Sequence, residues 1–173
     1  MYLMTTPEVR HLTGCTCIPN LKRDGLIPAR PGGAGRSQGD LWSAPQTVGI
    51  AAWQLGRRRG VPPDGSLALA LYLARMPLRE MQAHIAAGRR YIMVIGETAV
   101  HRLVSADEIQ AAMRQSIDRV SDEDLGRAYL AGLVPAAIDI GRVLELVLGY
   151  EPAPYMDSTD PATVADGTMP PCD

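Results

Sequence analysis

Glycine and proline interrupt this chain so often that every helix in it has to be short. Of its 173 residues, 17 are glycine and 14 proline. They fall at Gly14, at Gly25, in the run Pro28-Ala29-Arg30-Pro31-Gly32-Gly33-Ala34-Gly35, and in Val61-Pro62-Pro63-Asp64-Gly65. Each helix must then carry its own start and stop signals, and no long heptad helix is evident. Thr6-Pro7-Glu8 opens the first, with a hydroxyl cap, an early proline and an acid in the first turn. Val9 and Leu12 share its inner face, and Gly14 ends it. Thr16 is the expected cap of a second helix that stops at Gly25, with Ile18 and Leu21 inward and Thr16, Asn20 and Arg23 outward. The Pro28–Gly35 stretch is too rich in glycine for a helix. Leu41-Trp42 is a brief extended piece, and Ser43 caps a helix to about Arg59.

The clearest break is Val61–Gly65, where a domain boundary is expected. Beyond it, Ser66–Met76 and Pro77–Ala87 read as helices, the second stopped by Gly88. Tyr91–Ile95 and Thr98–Val104 are apolar and β-branched, with Gly96-Glu97 between them, which is the pattern of a hairpin with a type II′ turn. Both strands are apolar on each face, so the hairpin should be covered on both sides or pair with another chain. Ser105–Glu108 has capping-box spacing and starts a helix to about Asp118. Ser121–Asp124 opens another helix to about Leu133, and Ala136–Leu148 is expected as the last. From Glu151 onward Pro, Asp, Thr and Gly dominate, so 151–173 is expected to be a disordered acidic tail.

Charge divides the chain unevenly. Residues 1–60 hold eight basic groups against three acids, whereas the remaining 113 hold nine basic against sixteen acidic. A basic head on an acidic body is what a nucleic-acid-binding head joined to a regulatory or oligomerising body displays.

The order helix, tight turn, short helix, glycine loop, extended piece, helix over residues 3–60 is that of a winged helix-turn-helix. Its wording resembles the MerR-type DNA-binding domain in Leu3-Met4-Thr5-Thr6-Pro7-Glu8-Val9, Leu12-Thr13-Gly14-Cys15-Thr16 and Asp24-Gly25-Leu26-Ile27-Pro28-Ala29-Arg30. Leu41-Trp42-Ser43 stands where that family has an aromatic followed by Ser at a helix start. The likeness covers about a third of the chain. One departure stands out: only ten residues separate Gly14 from Gly25, and Asn20-Leu21-Lys22-Arg23 replaces the family's Tyr-rich run, leaving a recognition helix of barely two turns.

The expected fold is therefore mainly α. It comprises a winged helix-turn-helix over 1–60, a helical body with one β-hairpin (90–104) over 61–150, and the tail. The expected partner is double-stranded DNA, bound by a homodimer through the 16–24 helix and the 30–42 wing. Thr16 and Asn20 offer hydrogen bonds to bases or phosphates, and Lys22 and Arg23 supply charge beside them. Arg30, Arg36, Ser37 and Gln38 flank or occupy the glycine loop, where a wing lies along a phosphate backbone or minor groove. Arg57-Arg58-Arg59 reads as a solvated helix end.

The function expected is that of a bacterial transcriptional regulator, with a small-molecule effector or protein partner on the 61–150 body. An excisionase-type recombination accessory factor and a protein-interaction or antitoxin-like adaptor that has lost DNA contact are the alternatives. No P-loop, nucleophile elbow or metalloprotease motif is present, so no enzyme and no cofactor are expected. His11, Cys15 and Cys17 are soft ligands without an evident fourth, and no metal is expected either. Three cysteines, an odd number, read as reduced thiols. Gly132–Tyr150, the most apolar stretch, is broken by Asp139, Arg142 and Glu145, and Glu8, Arg10 and His11 fall where a signal peptide's apolar segment runs. No membrane partner is expected, and the location expected is cytoplasmic.

Overall fold

The computed structural model describes residues 3–32, 39–95, 98–99, 101–117 and 136–150. The elements are β1 (Met4–Thr5), α1 (Thr6–Thr13), α2 (Ile18–Arg23), β2 (Leu41–Trp42), α3 (Ala44–Arg58), α4 (Pro63–Arg75), α5 (Leu78–Ala86), β3 (Tyr91–Ile95), β4 (Thr98–Ala99), α6 (Ala106–Ile117), β5 (Ala136–Asp139) and α7 (Ile140–Leu148). The protein is mainly helical, with two small antiparallel sheets among the described residues. No helix among them is long and apolar enough to cross a membrane. The helix expected over 121–133, the Gly96-Glu97 turn and the 151–173 tail lie outside the described residues.

Local signals set most helix ends. Thr5 rather than Thr6 is the N-cap of α1, and its N–H and hydroxyl both donate to the Glu8 carboxylate at 2.6 and 2.8 Å. Gly14 ends that helix in the left-handed region, φ 66°, with its N–H on the Arg10 carbonyl. Ser43 caps α3, and its N–H donates to Gln46 Oε1 at 2.9 Å. Ser105 and Glu108 form the expected reciprocal pair before α6, at 2.9 and 3.2 Å.

α3 is the central post. It packs against α1, α4 and α7, and buries Val48, Ile50 and Ala52. One continuous apolar core runs from Met4, Val9 and Trp42 through Leu69 and Leu73 to Ile92, Ile138 and Leu144. α3 and α4 approach closely at Gly49, where an added Cβ would stand 2.6 Å from the Ala70 carbonyl oxygen of α4. The obstacle is backbone, so the helices themselves would have to part. Gly49→Ala is expected to destabilise the fold by about 1–3 kcal/mol. A lower urea midpoint at unchanged slope is the measurement that checks it.

The sheet at the far end of the core corrects one expectation. Ala136–Asp139 is not the start of the last helix. It forms β5, antiparallel to β3, with Ile92 opposite Ile138 and Val94 opposite Ala136. The sheet order is β4-β3-β5, so the lone hairpin expected is a three-stranded sheet. Burial is the reason: β3 is apolar on both faces and β4 pairs with only Val94 and Ile95, which leaves β3's other edge to be filled. Filling it outweighs the helix preference of Ala136-Ala137. Arg90 ties the junction, donating from Nε to Asp139 at 2.9 Å while its carbonyl accepts the N–H groups of Ile140 and Gly141.

Candidate nucleic-acid interface

α2 owes its position to two side chains. Ile18 and Leu21, three residues apart, are both buried in the core beneath it. The helix has six residues, and its N-cap is Cys17, not Thr16. Thr16 stands exposed in the turn before it, Asn20 is half-buried, and Lys22 and Arg23 are exposed. Cys15, in the same turn, is a buried free thiol whose pKa burial pushes above the ordinary value, but Cys17 is disulfide-bonded, so the cysteines are not all the reduced thiols expected. Among the described residues no group of three or more His, Cys, Asp or Glu converges on one point.

The loop after α2 is closed at its base. Arg30 and Leu41 exchange backbone hydrogen bonds at 3.1 and 2.9 Å. Leu41 also faces Thr5 across β1–β2, and Trp42, wholly buried, donates its indole N–H to the Thr6 hydroxyl at 3.0 Å. The loop base is thereby locked to the start of α1. Gln46 of α3 pins the approach to it: Oε1 accepts the Ala29 N–H at 3.0 Å and the amide donates to the Ile27 carbonyl at 2.7 Å. Ile27 itself projects outward and is 70% exposed. Arg30 is exposed at the base, while Arg36, Ser37 and Gln38 lie outside the described residues.

Lys22 has a partner within this unit. Its ammonium donates to both oxygens of Asp40 at 2.9 and 2.8 Å, and Asp40 Oδ1 also accepts the Gly32 N–H at 2.8 Å. Lys22 therefore clamps α2 to the loop base. Lys22, and after it the Gly32 N–H, holds the Asp40 carboxyl below its ordinary value of 3.8. A depressed carboxyl stabilises the fold above the ordinary carboxylate range, and that contribution disappears as pH falls through the folded-state value. The clamp is accordingly expected to hold at neutral pH and to open only below about pH 4. Following the Gly32 amide resonance from pH 6 to pH 2 checks this, and Asp40→Asn should abolish the transition.

Arg23 pairs with its neighbour Asp24 at 3.2 Å, an exposed contact of little energetic weight. Its other neighbours matter more. Asn20, Arg23 and Asp24 line a cleft of about 160 Å³ with Trp53 and Arg57 of α3 and Asp64 at the start of α4. Arg58 comes close to the α1–α2 turn as well: one guanidinium nitrogen lies 3.9 Å from where a side chain on Gly14 would begin. Arg57 donates to the Val61 carbonyl at 3.0 Å, which steadies the last turn of α3. Among the described residues, Arg10, Arg30, Arg57, Arg58 and Arg59 form no ion pair.

α2 thus stands between two cationic flanks, the loop base with Arg30 on one side and the last turn of α3 on the other. The second flank is the part that sequence reasoning missed. The three-arginine run was visible, but nothing in its spacing tells that α3 ends beside the α1–α2 turn. No family model matches the chain, and no match is found among curated proteins or solved structures.

Proposed function

We propose that this chain is a DNA-binding transcriptional regulator of MerR-like type that engages duplex DNA as a homodimer. In this reading α1 and α2 are the helix-turn-helix and the 30–42 loop is its wing. The observation that carries it is the pair of cationic flanks around α2: among the described residues of 3–60, the lysine and arginine side chains without an ion pair are Arg10, Arg30, Arg57, Arg58 and Arg59. Six helical residues span only about 9 Å, so α2 by itself offers few side chains to a groove. Phosphate contacts from the flanks carry most of the affinity, and base contacts come from Asn20 of α2 and Thr16 of the turn before it.

If about five phosphates are neutralised, log K should fall with log salt at a slope near −4 to −5. A binding titration of the full chain on duplex DNA at several salt concentrations tests the reading. A flat response would overturn it.

One observation favours a second reading. Lys22 and Arg23 are both engaged by acids, Asp40 and Asp24, which reduces the charge α2 presents. An adaptor that has lost DNA contact would look so. Failure of the unsubstituted chain to retain duplex DNA even at low salt would select that reading.

A further inference from the structure

On the side of α3 away from α4, Val143, Leu146 and Val147 of α7 face Leu12 and Thr13 of α1 and Ala51 and Leu55 of α3 across a groove of about 180 Å³. The lining is apolar apart from Thr13, whose hydroxyl is already bonded to the Val9 carbonyl at 2.7 Å. Leu146 is 51% exposed on its lip. The rim is cationic at one end. Arg58 follows Leu55 by three residues on the same face of α3, and its guanidinium lies beside Gly14, next to Thr13. Tyr150, three residues after Val147, continues the Val143–Val147 stripe of α7 and packs on the core. The chain therefore leaves the described fold alongside the groove.

We propose that residues 151–173 dock in this groove, with Tyr155 and Met156 filling its apolar floor and Asp157 and Asp160 lying against Arg58. Charge complementarity and reach select this occupant. Residues 151–173 contain five acids and no base, and Tyr155-Met156 is their first pair of large apolar side chains. Five extended residues beyond Tyr150 reach about 17 Å. The groove's wall from Val143 to Val147 is only about 6 Å long. A second copy of the chain is a poorer fit, because a stable dimer buries about 800 Å² per partner and this groove has room for only a few side chains. On the DNA-binding reading, the docked segment competes with DNA for Arg58. That consequence rests on the reading above, whereas the docking itself does not.

The test places the photo-cross-linker p-benzoylphenylalanine at position 155 of the full chain and maps its products by mass spectrometry. Intramolecular cross-links to Leu12, Leu55, Val143 or Leu146 are expected, with a large loss of yield in Leu146→Asp, a lip substitution that leaves the core intact. Products only between chains, or products that avoid the groove, overturn the proposal. In a second arm, Asp157→Asn, Asp160→Asn and Asp166→Asn are combined in the full chain. If the segment is docked nine-tenths of the time, apparent DNA affinity should rise about tenfold at low salt. Groove cross-links without any DNA binding would leave the docking standing and remove the regulator reading instead.

Discussion

Trp42→Ala is expected to destabilise the protein by about 3–5 kcal/mol, a large share of the stability of a domain this size. Trp42 is completely buried and is the largest fully buried side chain of the core. Three structural links meet at it. Its backbone pairs with Met4, its ring fills the space between β1 and α3, and its indole N–H satisfies the Thr6 hydroxyl at 3.0 Å. Truncation leaves a cavity that the short, capped helices around it cannot close. Because Leu41 next to it also holds Arg30, the loop base should loosen together with the core. Chemical denaturation gives the stability loss directly. Trp42→Phe separates the two contributions: it keeps most of the volume and removes only the hydrogen bond, and should cost about 1 kcal/mol from that bond, plus whatever the smaller ring leaves unfilled.

On the DNA-binding reading proposed above, Arg57→Ala combined with Arg58→Ala is expected to weaken binding on the order of a hundredfold at 0.1 M salt, and to make the salt slope shallower by about two. In α3's last turn Arg58 is exposed and Arg57 is half-buried along the cleft. Arg58 forms no ion pair among the described residues, and Arg57 contributes a hydrogen bond to the Val61 carbonyl, so the fold should lose little. Thermal denaturation of the double variant controls for that. The pair distinguishes an electrostatic face from a single-helix reader: if only α2 contacted DNA, removing these arginines would leave the slope unchanged. Arg59→Ala serves as a comparison, being the exposed C-cap arginine of the same helix and, like Arg58, outside the cleft that Arg57 lines.

Much of the local structure was legible because it depends on neighbours in sequence. Ser43 caps its helix and Ser105 pairs with Glu108 three residues on, as their spacing implies, whereas the cap facing Glu8 is Thr5 rather than Thr6. Ile18 and Leu21 turn inward for the same reason, since a three-residue interval decides one helix face. The misplacements were small where only caps were concerned. Thr16 was expected to cap α2, and it stands instead one residue earlier in the turn, with Cys17 at the cap and no side-chain capping hydrogen bond from it.

Readings that depended on distant partners fared differently. Ala136-Ala137-Ile138 has the composition of a helix start, and became a strand because β3 had an edge to fill. Lys22 looked like a free cation until Asp40, eighteen residues away, was brought to it by the Arg30–Leu41 closure.

By its own composition and spacing, then, the chain determined short helices with set ends, a cationic first third and a loop after α2. Those follow from backbone sterics, capping and charge counts, all of which act over a few residues. Tertiary structure alone decided that α3 ends beside the α1–α2 turn, that Lys22 is spent on Asp40, and that β5 completes a sheet. Such pairings join groups far apart in the chain, and burying apolar surface selects them only once the whole core has closed.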